Sequence, residues 1–132
     1  MTRQQRSMAQ ALRHVQAPRD DPGAGEAAAF GGLCHRFPIL LRTNGLMQTL
    51  VFVDQKRGGQ GGRQQAYDRL LAGIAESVQG EGSDPRRLLE TVQGMSLREY
   101  MHATRVLLDT WVYYKRFAES ILNVRSDHGE EA

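Results

Sequence analysis

The chain has 132 residues, 40% hydrophobic and 24% charged, with a formal net charge of +2. This balance excludes a disordered chain or a disulfide-framed miniprotein, and no stretch approaches the roughly 20 apolar residues that a membrane span needs. One cysteine, Cys34, has no internal partner, which points to a reducing compartment, the cytoplasm, and removes zinc-ribbon and redox-pair chemistry.

Thr2 and Gln5 have capping-box spacing, and Met8, Ala11, Leu12 and Val15 follow at helical intervals, so a first helix is expected to about Ala17. Its other face carries Arg3, Arg6, Gln10 and Arg13. Pro18 to Gly25 is a turn-rich break. From Glu26, Phe30, Leu33, Cys34, Phe37 and Leu41 trace a second helix, which Gly31, Gly32 and Pro38 should weaken or kink.

Residues 42–53, RTNGLMQTLVFV, pose the main ambiguity. Asn44-Gly45 is a strong hairpin signal and the run after it favours strand. Strict alternation fails at Gln48 and Thr49, whereas Leu46, Met47, Leu50 and Val51 fit a helical period. Gly45 is therefore read as the left-handed residue ending one helix immediately before the next.

The segment DQKRGGQGGRQQ, residues 54–65, reads as an exposed loop. Tyr67, Leu70, Leu71, Ile74 and Val78 mark a fourth helix, ended near the glycines of QGEGS. Asp84-Pro85 is an N-cap with proline at the first helical position, opening a short helix through Leu88, Leu89 and Val92 to Gly94. Ser96 and Glu99 repeat the capping box and open the longest helix, to about Val124. One apolar arc of it holds Leu97, Tyr100, Thr104, Leu107, Leu108, Trp111, Ala118 and Leu122; a second holds Val106, Tyr113, Phe117 and Ile121. The expected fold is all-α, a single-domain bundle of about six helices over residues 1–125, with an acidic tail at 126–132.

Charge is uneven: residues 1–69 hold 10 Lys/Arg against 5 Asp/Glu, and the later acid excess lies partly in the tail. A polyanion is a fitting partner. Arg98, Arg105, Asp109 and Arg116 line up on the last helix, either as a solvated face supported by an Arg105/Asp109 pair or as a row of phosphate contacts. The first-helix arginines and Lys115 are further candidates. Lys56, Arg57 and Arg63 flank the glycines, where a plain linker and a basic loop against a nucleic-acid backbone are both open. A nucleotide-binding P-loop is disfavoured because no Gly-Lys-Ser/Thr ending and no preceding strand is present. Trp111, Tyr113 and Tyr114 suit the core or base stacking. Histidines 14, 35, 102 and 128 lack metal-site spacing, and no nucleophile elbow or paired metal carboxylates occur, so no enzyme, cofactor or small-molecule substrate is expected.

Two stretches resemble a known family. One contains Pro38, then Asn44, Gly45, Leu46, Gln48, Thr49, Leu50 and Phe52; the other contains Ala103, Thr104, Leu107, Leu108, Trp111, Lys115, Arg116, Phe117 and Ala118. They are similar to the small subunit of the type III-B CRISPR effector, the RAMP-module complex. The glycine-rich loop departs from that pattern. The resemblance implies an all-α, non-catalytic protein that stacks in copies beside the RAMP backbone subunit and the large subunit, lining the channel for target RNA in antiviral defence. Other readings of the residues are a purely structural scaffold, a type III-A-like small subunit, or an unrelated all-α nucleic-acid regulator.

Overall fold

Both capping boxes form. Thr2 N–H donates to Gln5 Oε1 at 2.8 Å while Gln5 N–H donates to Thr2 Oγ1 at 3.1 Å. Ser96 and Glu99 exchange the same pair at 2.9 and 3.1 Å. Between these starts, a computed structural model describes residues 1–20, 25–57 and 61–125. The helices are α1 (Arg3–Asp20), α2 (Ala27–Asn44), α3 (Leu46–Lys56), α4 (Gly62–Gln79), α5 (Leu88–Gln93) and α6 (Leu97–Ser120), with a 3-10 turn at Pro85–Arg87. The architecture is all-α and single-domain, with no strand among the described residues.

Asn44-Gly45 joins two helices. Gly45 has φ 82°, which a side chain would strain, and its N–H donates to Leu41 O at 3.0 Å, ending α2. Thr49 N–H then donates to Gly45 O at 3.1 Å, and its hydroxyl donates to Leu40 O at 3.1 Å. Both donors of this buried threonine are thereby satisfied, so a residue that breaks strand alternation serves the helix joint. From α6, Tyr100 Oη accepts from Met47 N–H at 2.9 Å, taking up an orphan donor in the first turn of α3.

α1 and α2 both lie against α6, α4 packs on α2 and α6, and α3 closes against α4 and α5. At the centre the rings of Trp111 and Tyr114 stack 3.9 Å apart at 4°, and Phe37 tilts against Trp111 at 4.6 Å. Phe30, Leu41, Leu46, Leu50, Leu70, Ile74, Leu88 and Leu107 fill the rest, each contributing about 1.5–3 kcal/mol of burial. Trp111 and Tyr114 are therefore core residues, with neither ring face open to a base.

Several expectations are corrected. α1 runs through Pro18 to Asp20, with Pro18 buried, at the loss of the N–H bond that proline cannot donate to the carbonyl four residues back. α3 extends to Lys56 and α4 starts at Gly62, so much of the expected 54–65 loop is helical; residues 58–60 lie outside the described residues, as does the tail at 126–132. α6 ends at Ser120. Asn123 turns the chain at φ 59°, and Val124 N–H donates back to Ala118 O at 3.0 Å. The Val124 side chain then lies over Gly31, where an added Cβ would meet it at 2.5 Å, and His35 Nε2 donates to Val124 O at 2.8 Å. Gly31 is thus a docking requirement within an unbroken helix. Leu97, the first residue of α6, is 75% exposed, because apolar periodicity at a helix end outruns the surface that neighbours cover; Met8, in the second turn of α1, is 45% exposed.

Gln10, expected among exposed arginines, is buried. Its amide nitrogen lies 3.0, 2.9 and 2.8 Å from Gly73 O, Ser77 Oγ and Tyr114 Oη, two N–H groups shared among three acceptors, and links α1, α4 and α6. One turn on, Arg13 grips Glu76 through two bonds of 3.0 and 2.8 Å, and His14 Nε2 meets the same carboxylate at 3.0 Å. The Arg13 hydrogen bond holds Glu76 below its ordinary value of 4.5. Burial pushes His14 below 6.5 despite that carboxylate. Both folded values lie under the unfolded ones, so both contributions are complete above about pH 6.5 and are lost as pH falls through the folded values. The thermal midpoint should therefore drop between pH 7 and pH 5. His14→Gln, which keeps a donor and removes one titration, should shrink that drop in a calorimetric pH series.

Candidate nucleic-acid interface

The buried residues of α6 are Ala103, Leu107, Thr110, Trp111, Tyr114 and Ala118. At about 100° per residue, Arg98, Arg105 and Arg116 project roughly opposite to them, so all three are exposed. Among the described residues none has a hydrogen-bonded or ionic partner. The expected Arg105/Asp109 pair is replaced: Asp109 Oδ2 accepts from Arg3 Nη2 of α1 at 3.1 Å. The packing of α1 on α6, fixed nearby by Ser7 and Thr110 hydroxyls 3.0 Å apart, brings that closer partner to the carboxylate. Arg105 is left with its charge uncompensated.

The ion pair also carries Arg3 to the edge of the α6 row. It is half exposed on both sides, at 51% and 57%, and so contributes little that a polyanion would have to overcome. Arg6 lies beside it, donating to Met1 O at 2.9 Å. A depression of about 630 Å³ between α1, α4 and α6 is lined by Arg3, Arg6, Arg13 and His102 together with Glu76 and Glu81. His102 also lines a shallower hollow of about 420 Å³ with Arg98, Met101 and Arg105. The two hollows adjoin, which gives His102 a place that its isolated position in the sequence did not suggest.

The other candidates separate from this row. Arg13 turns toward α4 and is engaged by Glu76, with Glu81 at 3.8 Å. Lys56 stands 5.6 Å from the centre of the Phe52 ring, and Arg57 is tied to Asp54 at 2.6 Å. Arg63 is exposed in the first turn of α4, and with Arg36 it rims a cleft of about 760 Å³ over Gly32 and Leu122. Arg36 was not singled out from the sequence because only folding brings α2 and α4 together there. Lys115 is half-buried on α6, to one side of the arginine row.

Nothing in these hollows resembles reaction machinery. Cys34 is sealed in the core, and burial pushes its thiol far above the usual range, so it is inert as a nucleophile. No cluster of three His, Cys, Asp or Glu among the described residues has metal-holding geometry. No described helix is long and apolar enough to cross a membrane. The arrangement can attract and hold negative charge without base selection.

Residues 3–121 match the family model described as CRISPR-associated protein (Cas_Cmr5). The chain is 30% identical over 121 residues to the CRISPR system Cmr subunit Cmr5 of Thermus thermophilus, an alignment covering 92% of this chain and 96% of that one. It also resembles the crystal structure of a CRISPR-associated Cmr5 family protein from the same organism, with TM-score 0.72 and 31% identity over 92% of this chain and 97% of that one. The helix-to-helix joint at Gly45, the long α6 and agreement in sequence and fold over 92% of the chain lead to one conclusion: the chain belongs to the Cmr5 family, as a homologue of the small subunit of the type III CRISPR effector complex.

Proposed function

We propose that this protein is a non-catalytic small subunit of a type III-B effector, stacking in copies along the RAMP backbone subunits beside the large subunit and contacting target-RNA phosphates in antiviral defence. The observation carrying this reading is the row of three exposed arginines on α6, none of them partnered among the described residues. Arg3 and Arg6 extend it from α1. Such a surface supplies affinity without sequence choice, which suits a complex whose specificity comes from guide–target pairing.

Reversing charge at Arg105 and Arg116 tests it. With about 0.7 of salt slope per single-strand phosphate contact, the double variant R105E/R116E should bind target RNA more weakly, with its log K against log salt flattened by about 1.4. Its thermal midpoint should stay near that of the parent, because both side chains are exposed. An unchanged salt slope would refute the placement.

In a second reading, a scaffold, the arginines serve protein contacts alone, as Arg13 does within the fold by pairing with Glu76. In that case the same variant loses co-purification with partner subunits while RNA affinity in the isolated chain is untouched.

A further inference from the structure

Beside the arginines, α6 carries a second exposed row. Taking Arg98 as the origin of the helical wheel, Arg105 and Arg116 fall within about 20° of it, while Val112, Met101, Leu108 and Leu97 fall about 40° to 100° to one side. Leu97 is 75%, Met101 56% and Val112 46% exposed, and Leu108 is half-buried. These are large apolar groups left in water on a helix whose opposite face is fully packed. From Leu97 to Val112 the row extends about 22 Å at 1.5 Å per residue.

The two rows run side by side along the helix. A protein-docking patch ordinarily has an apolar centre enclosed by a polar rim. A surface with one cationic edge and one apolar edge, parallel over several turns, matches a linear polymer that is itself charged along one side and flat and apolar along the other. Single-stranded nucleic acid has that form, whereas in a duplex the base faces are stacked away. The charges agree: Asp109, at the far side of the arginine row, is occupied by Arg3, and the apolar row reaches Lys115 before meeting an acid, Glu119.

We propose that α6 binds an unpaired RNA strand along both rows, with phosphates on Arg98, Arg105 and Arg116 and nucleobases lying over Leu97, Met101, Leu108 and Val112. This rests on the phosphate-contacting reading above and adds to it a preference for single strands and a component of binding that salt does not screen. The hollow formed by Leu97, Arg98, Met101, His102 and Arg105 takes residues from both rows, and it is where a base and its own phosphate are held together.

The test compares the full-length chain with L97S/M101S, both sites being exposed enough to spare the fold, a point checked by thermal melting. Binding to a uridine 20-mer and to an RNA duplex of equal length is measured over a salt series. The parent should prefer the single strand. The variant should bind it about tenfold more weakly with the same salt slope, and its duplex affinity should not change. Equal single-strand affinity for parent and variant, with a normal salt slope in both, overturns the base-contact row and leaves the phosphate reading standing. Absence of RNA binding by the parent overturns both. Loss of co-purification with partner subunits at unchanged RNA affinity identifies the row as a protein-docking face and overturns the proposal.

Discussion

Replacing Trp111 by alanine should lower the unfolding free energy by about 3–5 kcal/mol, a large part of what a domain of this size has. The indole is fully buried, stacked at 3.9 Å on Tyr114 and touched by Phe37 at 4.6 Å, so the central aromatic contacts of the bundle end at one side chain. The cavity cannot collapse easily because α6 is tied near both ends, by Tyr100 on Met47 beside the Gly45 joint and by Val124 on Gly31. Trp111→Phe should cost clearly less. It keeps a ring in place and removes an indole N–H that has no hydrogen-bond partner among the described residues. Urea unfolding followed by circular dichroism measures both variants. A loss under about 1 kcal/mol for the alanine variant would mean that the stack is not the centre of the core.

Adding a side chain at Gly73 should be nearly as damaging, for the opposite reason. A Cβ there would lie 2.7 Å from Tyr114 Oη and 3.2 Å from Trp111 Cη2. The same phenol accepts from Gln10, so displacing it breaks a buried bond as well as the packing. For Gly73→Val we expect about 3 kcal/mol of destabilisation, overpacking and the stranded hydroxyl together outweighing the gain of about 0.5 kcal/mol or less in helix propensity. Gly32→Ala is the control. Nothing described lies within 4 Å of its added Cβ, so the helix should gain about 0.5–1 kcal/mol. If both glycine variants moved stability in the same direction, propensity and not space would govern these positions.

The outcome at these glycines shows what a linear reading can and cannot reach. Gly31 and Gly32 are identical neighbours in the sequence and both read as weak points of a helix. Only the return of Val124 makes the first a contact requirement, and nothing in the chain order signals that approach. Gln10 illustrates the same limit. Its place on the wheel puts it with arginines, but it faces Gly73 and Tyr114, far along the chain, and the buried hydrogen bonds to them offset the cost of enclosing an amide. Leu97 errs in the other direction, apolar and in phase yet beyond the reach of any covering helix.

Local signals settled what depends on neighbours a few residues apart. The capping boxes at Thr2 and Ser96, the Asp84-Pro85 start and the end of α2 at Gly45 are all satisfied by hydrogen bonds within a turn or two, and the period of Leu46, Met47, Leu50 and Val51 was enough to choose helix over hairpin. The alignment of Arg98, Arg105 and Arg116 was legible for the same reason, because helical pitch alone places them. What charge each arginine faces was not. Arg13 and Arg105 look alike in sequence, yet helix packing gives one a carboxylate clamp and takes from the other its expected partner, since ion pairing depends on distances that exist only once α1, α4 and α6 have come together.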